Sequence, residues 1–169
     1  MRRLIIAGLA ALALLLIGWG RFSGATQRVL PKQNPDAPTV NLGQTVTLDN
    51  NGNRAQVTVS DPQRRGVVPG PNLTATNGVY FVISVNVVCT GGTYHMKPVN
   101  FSLIAGNGTT YQASGIDFDP PLKTLDLTSG QSKSGKVGFD VPGSAIDGGK
   151  IQVNGVGLDS ARAGGFWRL

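Results

Sequence analysis

One run of alternating residues constrains the fold of this chain more than any other feature. From Phe81 to Cys89, apolar side chains recur at every second position, and polar side chains such as Ser84 and Asn86 lie between them. Successive side chains of a β-strand point to opposite faces, so this alternation produces one apolar face and one polar face. The run predicts a long strand that covers a hydrophobic core, and its hydrophobicity predicts a central position in a sheet.

Shorter alternating runs follow along the rest of the chain, with turn residues between them. Asn50 to Asn53 and Asn107-Gly108 are typical of tight hairpin turns, and we expect Asp61-Pro62 and Pro142-Gly143 to end strands. The residues predicted to face the core are Val46, Leu48, Ala55, Val57, Val59, Val99, Phe101, Leu103, Val137, Phe139, Val141, Ile151 and Val153. Beyond the N-terminal segment no amphipathic pattern of helix length occurs, so the sequence predicts an all-β, antiparallel β-sandwich.

The N-terminus carries a targeting segment. Three residues including Arg2 and Arg3 precede an apolar stretch from Leu4 to Trp19, which predicts a hydrophobic helix before the sandwich. Residues 1–25 are therefore a signal peptide, with cleavage before Thr26, or a signal anchor that stays in the membrane, and the sequence leaves both possibilities open. Either way, the rest of the chain is expected outside the cytoplasm.

Two further boundaries follow from composition. Residues 26–41 contain three prolines among polar residues, which predicts an extended linker. Residues 42–169 then form the sandwich domain.

The distribution of charged residues does not favour a nucleic-acid partner. The formal net charge is +6, but three of the arginines lie within residues 1–25, and no later run of Lys or Arg is longer than Arg64-Arg65. Proteins that bind nucleic acids usually carry a clustered basic stripe. We therefore expect no nucleic acid among the partners.

Cys89 is the only cysteine, so the domain has no internal disulfide. It is the last inward residue of the strand predicted from Phe81. Free cysteine is among the most buried residue types, so we expect Cys89 to pack as a small hydrophobe rather than act as a redox or intermolecular thiol.

Few residues suggest chemistry. His95 is the only histidine, which excludes a multi-histidine metal site, and we expect a solvated loop histidine without a partner. Asp117, Asp119 and Asp126 lie in one region predicted to be a loop, but their spacing does not match a calcium loop. The sequence therefore predicts no catalytic residue, no metal site and no cofactor.

An aromatic pair lies near the C-terminus. Phe166 and Trp167 are candidates for docking a partner, because Trp is enriched at the centres of protein interfaces. The alternative is that these rings cap the core of the sandwich.

Three segments carry a resemblance to known families. Leu42 to Leu48, together with Ala55 to Asp61, resembles the opening of the small secreted immunoglobulin-like antigen family of mycobacteria. Ser134 to Pro142 looks like the late strand of that family and equally like that of the telokin-like domain of unknown function in exported Gram-positive proteins. Phe101 to Leu103, followed by Gly106 to Tyr111, is similar to the middle hairpin of both.

The resemblance implies an exported immunoglobulin-like β-sandwich without shared catalytic residues. We therefore expect a non-enzymatic binding or interaction module of the bacterial cell envelope, whose partner is a protein or another envelope component. The alternative is a membrane-anchored accessory subunit of a cell-envelope complex, held by an uncleaved N-terminal segment.

Overall fold

The computed structural model describes residues 36–68, 73–155 and 162–169. In these residues the alternating runs form thirteen β-strands, joined by turns and by two short 3₁₀ helices at Pro98–Asn100 and Gly143–Ala145. The strands are β1 (Thr39–Asn41), β2 (Thr45–Asn50), β3 (Asn53–Arg65), β4 (Val67–Val68), β5 (Leu73–Thr74), β6 (Val79–Gly91), β7 (Thr93–Met96), β8 (Phe101–Ile104), β9 (Thr110–Gln112), β10 (Leu125–Thr128), β11 (Ser132–Val141), β12 (Lys150–Asn154) and β13 (Ala163–Arg168).

Nine of these strands form two sheets that pack face to face. One sheet has the order β11-β6-β3-β2, and the other has the order β1-β13-β12-β8-β9. Two smaller pairs, β7 with β10 and β4 with β5, lie beside them. The prediction of an all-β sandwich is confirmed. The predicted N-terminal helix lies outside the described residues.

The core lies between the two sheets and contains all the predicted inward residues except Val99. Val57 and Val59 of β3 and Ile83 of β6 are fully buried, and they pack in one cluster with Phe101 and Trp167 of the opposite sheet. Burying one such side chain contributes about 1.5–3 kcal/mol relative to leaving it exposed. The predicted central strand is β6, which pairs with β3 on one side and with β11 on the other.

Both predicted hairpin turns are present. Asn50 pairs with Asn53, and the two residues between them have positive φ angles, 51° at Asn51 and 87° at Gly52. Two consecutive positive φ angles define the two-residue turn whose twist matches that of the flanking strands. The second turn lies between β8 and β9, where the Gly108 amide donates to the Ala105 carbonyl.

The prediction that Asp61-Pro62 ends a strand is wrong. β3 continues to Arg65 through a β-bulge, because the register with β6 shifts between Ser60 and Gln63. Proline has no N–H to donate to a ladder, and a bulge removes it from the pairing without ending the strand.

Val99 was also placed wrongly. It lies in the 3₁₀ helix Pro98–Asn100 and its relative exposure is 59%. Pro98 occupies the first position of that helix, where its fixed φ angle favours a turn over an extended strand. Phe101 and Leu103 face the core as predicted.

Several strands lie where the sequence predicted a linker, loops or a tail. Thr39–Asn41, which was assigned to the linker, is β1. It pairs with β13 in parallel, whereas the other described strands of the two sheets pair antiparallel. β13 itself has no apolar alternation at its start because Gly164 and Gly165 face β2. A Cβ atom on either glycine would lie 2.5 Å from a side-chain atom of Leu48 or Val46. These glycines let β13 approach the facing sheet closely.

Candidate functional site

Hydroxyl and amide side chains lie in register across the solvent side of the four-stranded sheet. Thr45, Thr58, Asn86 and Ser134 form one row that crosses all four strands. The Oγ1 atoms of Thr45 and Thr58 are 2.8 Å apart, and Ser134 Oγ donates to Asn86 Oδ1 at 2.8 Å. Cross-strand pairs of this kind hold the side chains in place. The row is therefore an ordered, uncharged, hydrogen-bonding surface.

Part of this row forms the floor of a shallow cavity of about 340 Å³, which we call the sheet groove. Its lining residues are Ser60, Asp61, Ser84, Val85, Asn86, Pro120, Ser134, Gly135 and Lys136. The floor is neutral, and the two ionisable residues of the lining are Asp61 and Lys136. The groove thus offers many hydrogen-bonding groups and no net charge.

The β-bulge in β3 positions one wall of the sheet groove. Asp61 has a φ angle of 47°, in the left-handed region that costs energy for residues other than glycine. Ser60 Oγ donates to Asp61 Oδ2 at 2.9 Å, which orients the carboxylate. Bulges are common beside binding sites because they redirect a side chain out of the regular alternation.

The opposite wall is built by a segment that runs along β11. The Leu122 amide donates to the Lys136 carbonyl at 3.0 Å, and the Lys136 amide donates to the Pro120 carbonyl at 2.7 Å. Lys136 Nζ donates to the Asp119 carbonyl at 2.6 Å. A Cβ atom on Gly135 would lie 2.5 Å from the backbone of Leu122. Segment 120–122 is therefore packed tightly against the edge of the sheet.

A second cavity of about 240 Å³ is lined by Leu122 of this segment, by the loop that follows β9 and by part of β11. We call it the seam groove. Its lining residues are Lys97, Pro98, Val99, Ala113, Ser114, Gly115, Ile116, Asp117, Leu122, Thr124, Lys136, Val137 and Gly138. Ser114 Oγ is buried there without a hydrogen-bond partner among the described residues. Lys136 lines both grooves.

The structure gives His95 a partner that the sequence did not reveal. His95 lies in β7, not in a loop, and it pairs across to Asp126 of β10. Its Nδ1 atom makes a short hydrogen bond with Asp126 Oδ1, and both side chains are mostly exposed, at 51% and 75%. The prediction of a partnerless loop histidine is wrong, because the region of residues 117–127 contains a strand. Neither residue lines one of the two grooves.

The three aspartates do not converge. Asp117 pairs with Lys123 at 3.3 Å, whereas Asp126 pairs with His95. Within residues 36–68, 73–155 and 162–169, no three His, Cys, Asp or Glu side chains are grouped as metal ligands would be.

The aromatic candidates Phe166 and Trp167 are buried. Trp167 is 0% exposed and its Nε1 donates to the Gln44 carbonyl at 2.8 Å, while Phe166 is 5% exposed with Lys150 Nζ 4.1 Å from its ring centroid. Neither ring offers a surface to a partner, so we assign them no docking role. Trp167 lies in the core between the sheets, as the alternative expects, whereas Phe166 packs with Ile104 and Ala163 in a separate smaller cluster.

Two reactive side chains also face the core. Cys89 is fully buried, as predicted, and its thiol lies 3.5 Å from the Gly91 carbonyl oxygen. Burial raises the pKa of the Tyr94 phenol well above its usual range. Neither the Cys89 thiol nor the Tyr94 phenol is exposed at the protein surface, where it could react with a ligand.

The sequence contained part of the signal for the sheet groove. Ser84 and Asn86 were predicted on the outward face of their strand, and both line the groove. The outward orientation of Lys136 follows from the same alternation, but its contact with segment 120–122 does not, because that segment lies in a region predicted as a loop. Asp61 was not predicted at the groove because its orientation depends on the bulge.

No helix within the described parts of the chain is long and apolar enough to span a membrane.

A family model described as a domain of unknown function, DUF4352, matches residues 40–160. No curated protein matches the chain significantly. Among solved structures, the secreted protein MPT63 from Mycobacterium tuberculosis is similar with a TM-score of 0.62 and 20% identity, over 80% of this chain and 100% of that one.

Two proteins from Bacillus subtilis share the fold. The yjhA protein has a TM-score of 0.53 and 16% identity, over 68% of this chain and 81% of its own. The putative lipoprotein ycdA has a TM-score of 0.55 and 16% identity, over 75% of this chain and 38% of its own. The resemblance to secreted mycobacterial and exported Gram-positive β-sandwich proteins is thereby confirmed.

Proposed function

Since this chain belongs to the DUF4352 family of domains of unknown function, we propose that it is a non-enzymatic binding module of the bacterial cell envelope, exported from the cytoplasm. The N-terminal targeting segment supports export. So does the similarity of the fold to MPT63, which is described as secreted, and to ycdA, which is described as a putative lipoprotein.

We propose the sheet groove as the binding site and a neutral, hydroxyl-rich envelope glycan as its ligand. The observation that carries this proposal is the hydrogen-bonded row of uncharged side chains on the groove floor. Ser134 donates to Asn86 Oδ1, so both N–H groups of the Asn86 side-chain amide are left to donate to a ligand. Among the described residues, the Asp61 carboxylate accepts a hydrogen bond only from Ser60, so it can accept further bonds. Sugar hydroxyls both donate and accept, which matches this set.

The groove chemistry favours a glycan over a protein partner. Protein interfaces concentrate aromatic and large apolar side chains at their centre. The exposed large hydrophobic residues of the described chain are Val67, Leu73 and Val99, and none lines the sheet groove. A partner protein would meet a polar, hydrated surface here.

The expected affinity is modest. A neutral hydrogen bond contributes about 0.5–1.5 kcal/mol net, so four such bonds supply about 4 kcal/mol, which corresponds to a dissociation constant of about 1 mM. A polymer that contacts several copies of the protein on the cell wall would be retained more strongly through multivalency.

Calorimetric titration with chitotetraose, a neutral oligosaccharide rich in hydroxyl and amide groups, tests the proposal. Asn86→Ala and Asp61→Asn should each weaken binding about 2- to 10-fold, because each removes one or two hydrogen bonds. Gln56→Ala is the matched control, since Gln56 is an exposed amide on the same sheet face that does not line the groove.

Two results would contradict the proposal. One is the absence of saturable binding by any neutral oligosaccharide, and the other is an equal loss of affinity in the Gln56 and Asn86 variants.

The alternative of a membrane-anchored accessory subunit depends on residues 1–25, which lie outside the described residues. It is favoured by the apolar stretch Leu4 to Trp19. N-terminal sequencing of the protein from membrane and medium fractions separates the two forms. An intact Met1 in the membrane fraction supports the anchor, and a mature N-terminus at Thr26 in the medium excludes it.

A further inference from the structure

The seam groove contains a buried hydroxyl group that the fold leaves unpaired. Ser114 Oγ has no hydrogen-bond partner among the described residues, although the Ser114 amide donates to the Gly138 carbonyl at 2.7 Å. Buried side-chain polar atoms in folded proteins nearly always have a partner, so each exception needs an explanation. A ligand that bonds this hydroxyl would supply one.

The walls of the same groove are largely apolar. Leu122 and Val137 are buried at its base, and Val99 is the most exposed large hydrophobic residue that the structure describes, at 59%. Exposed apolar surface beside a cavity is typical of ligand sites. The volume of about 240 Å³ is about eight times the ~30 Å³ that a water molecule occupies in the liquid, so the groove has room for a chain of about eight carbon-sized groups.

The charges in the lining favour an anionic ligand. Lys97 and Lys136 both line the groove, and the lining carboxylate of Asp117 is already paired with Lys123. Lys136 Nζ bonds a carbonyl oxygen, and no salt bridge is formed by Lys97 within the described residues. Two ammonium groups are therefore available to a negative head group.

The main chain beside the groove is not open to an added peptide strand. The Ser114 amide is bonded to Gly138, and the edge of β11 is bonded to segment 120–122 through Lys136. Peptides that extend a sheet need free N–H and C=O groups along an edge. A small molecule fits the groove better than a strand from a protein.

We propose that the seam groove binds a carboxylate joined to an unbranched apolar chain of about eight carbons. The chain lies against Val99, Leu122 and Val137, and the carboxylate is held by Lys97 and Lys136 and accepts a hydrogen bond from Ser114. This site is separate from the sheet groove, although Lys136 borders both.

Calorimetric titration of the full chain with octanoate tests the proposal. 1-Octanol, which lacks the negative charge, and acetate, which lacks the apolar chain, are the comparison probes. We expect saturable binding of one octanoate and binding at least about 10-fold weaker for both other probes. Lys97→Met should weaken octanoate binding about 2- to 5-fold, the range of a solvent-exposed ion pair. Lys133→Met is the matched control, because Lys133 is an exposed lysine of β11 that does not line the groove.

Ser114→Ala separates ligand binding from a structural role. Removing an unpaired buried hydroxyl should leave resistance to urea unchanged or raise it, while octanoate binding weakens because one hydrogen bond is lost. Octanoate binding that is absent, no stronger than that of 1-octanol, or equally weakened by Lys133→Met would overturn the proposal. Asn86→Ala should leave octanoate binding unchanged, so failure of the glycan proposal and failure of this one are distinguishable.

Discussion

Replacing Gly135 by alanine should destabilise the domain severely, since the backbone of segment 120–122 occupies the space that a side chain needs. An added Cβ would lie 2.5 Å from both Leu122 N and Leu122 Cα, and 2.7 Å from the Pro121 carbonyl carbon. These atoms are backbone, so a rotamer change cannot relieve the contact. The segment has to move away from β11 by about 1 Å to restore ordinary van der Waals distances.

The cost follows from two contributions. Overpacking in a well-packed region costs about 1–3 kcal/mol. The same displacement weakens the two hydrogen bonds between Lys136 and segment 120–122, and each contributes about 0.5–1.5 kcal/mol. We expect a loss of about 3 kcal/mol, which is a large part of the 5–15 kcal/mol typical of a domain.

Urea unfolding followed by circular dichroism measures this loss. With a denaturant dependence of about 1–3 kcal/mol/M, the midpoint should fall by about 1–3 M. Gly66→Ala is the matched control, because a Cβ at Gly66 meets nothing within 4 Å and its φ angle is not in the left-handed region. That variant should be neutral or slightly stabilised. A Gly135→Ala protein within 0.5 M of the wild-type midpoint would refute the described packing of the segment.

Two further predictions concern named side chains. Burial raises the pKa of the Tyr94 phenol in the folded protein, whereas an unfolded phenol titrates near pH 10. The protonated phenol therefore contributes its full stability below pH 10. Above pH 10 the free energy of unfolding should fall by about 1.4 kcal/mol per pH unit. Urea unfolding across this pH range should show that extra slope in the wild type and not in Tyr94→Phe. The Asp140 carboxylate accepts from the amides of Thr76 and Asn77, both at 2.9 Å, so Asp140→Ala should cost about 1–2 kcal/mol. Asp147→Ala, which removes an exposed ion pair with Arg64, should cost less than about 1 kcal/mol in the same assay, and equal losses would contradict the reasoning.

The core of the fold is predictable from the sequence because its strands alternate regularly. Val57 and Val59 face the interior as the alternation requires, and the Asn51-Gly52 turn has the residues that its positive φ angles favour. The strands that the sequence missed are those whose pattern is set by a distant neighbour. β13 has glycines at its second and third positions, Gly164 and Gly165, where β2 passes close by, and this contact joins residues far apart in the chain.

The candidate sites were harder to predict for a related reason. Ser84 and Asn86 follow the strand alternation, so their outward orientation was predictable. Asp61 reaches the sheet groove only because a bulge breaks the alternation, and Ser114 reaches the seam groove through a loop held by the Gly138 carbonyl. Periodicity does not report bulges or loop packing, so the sequence indicates part of the sheet-groove floor but neither groove as a whole.

The most direct test of the central claim, that the sheet groove binds a neutral glycan, is to map backbone amide chemical shifts during titration with chitotetraose. The binding site predicts concentration-dependent shifts concentrated at Asp61, Ser84, Asn86 and Ser134, with small shifts at Thr47 and Gln56 on the same sheet face. The absence of saturating shifts, or shifts concentrated away from the groove residues, would contradict it.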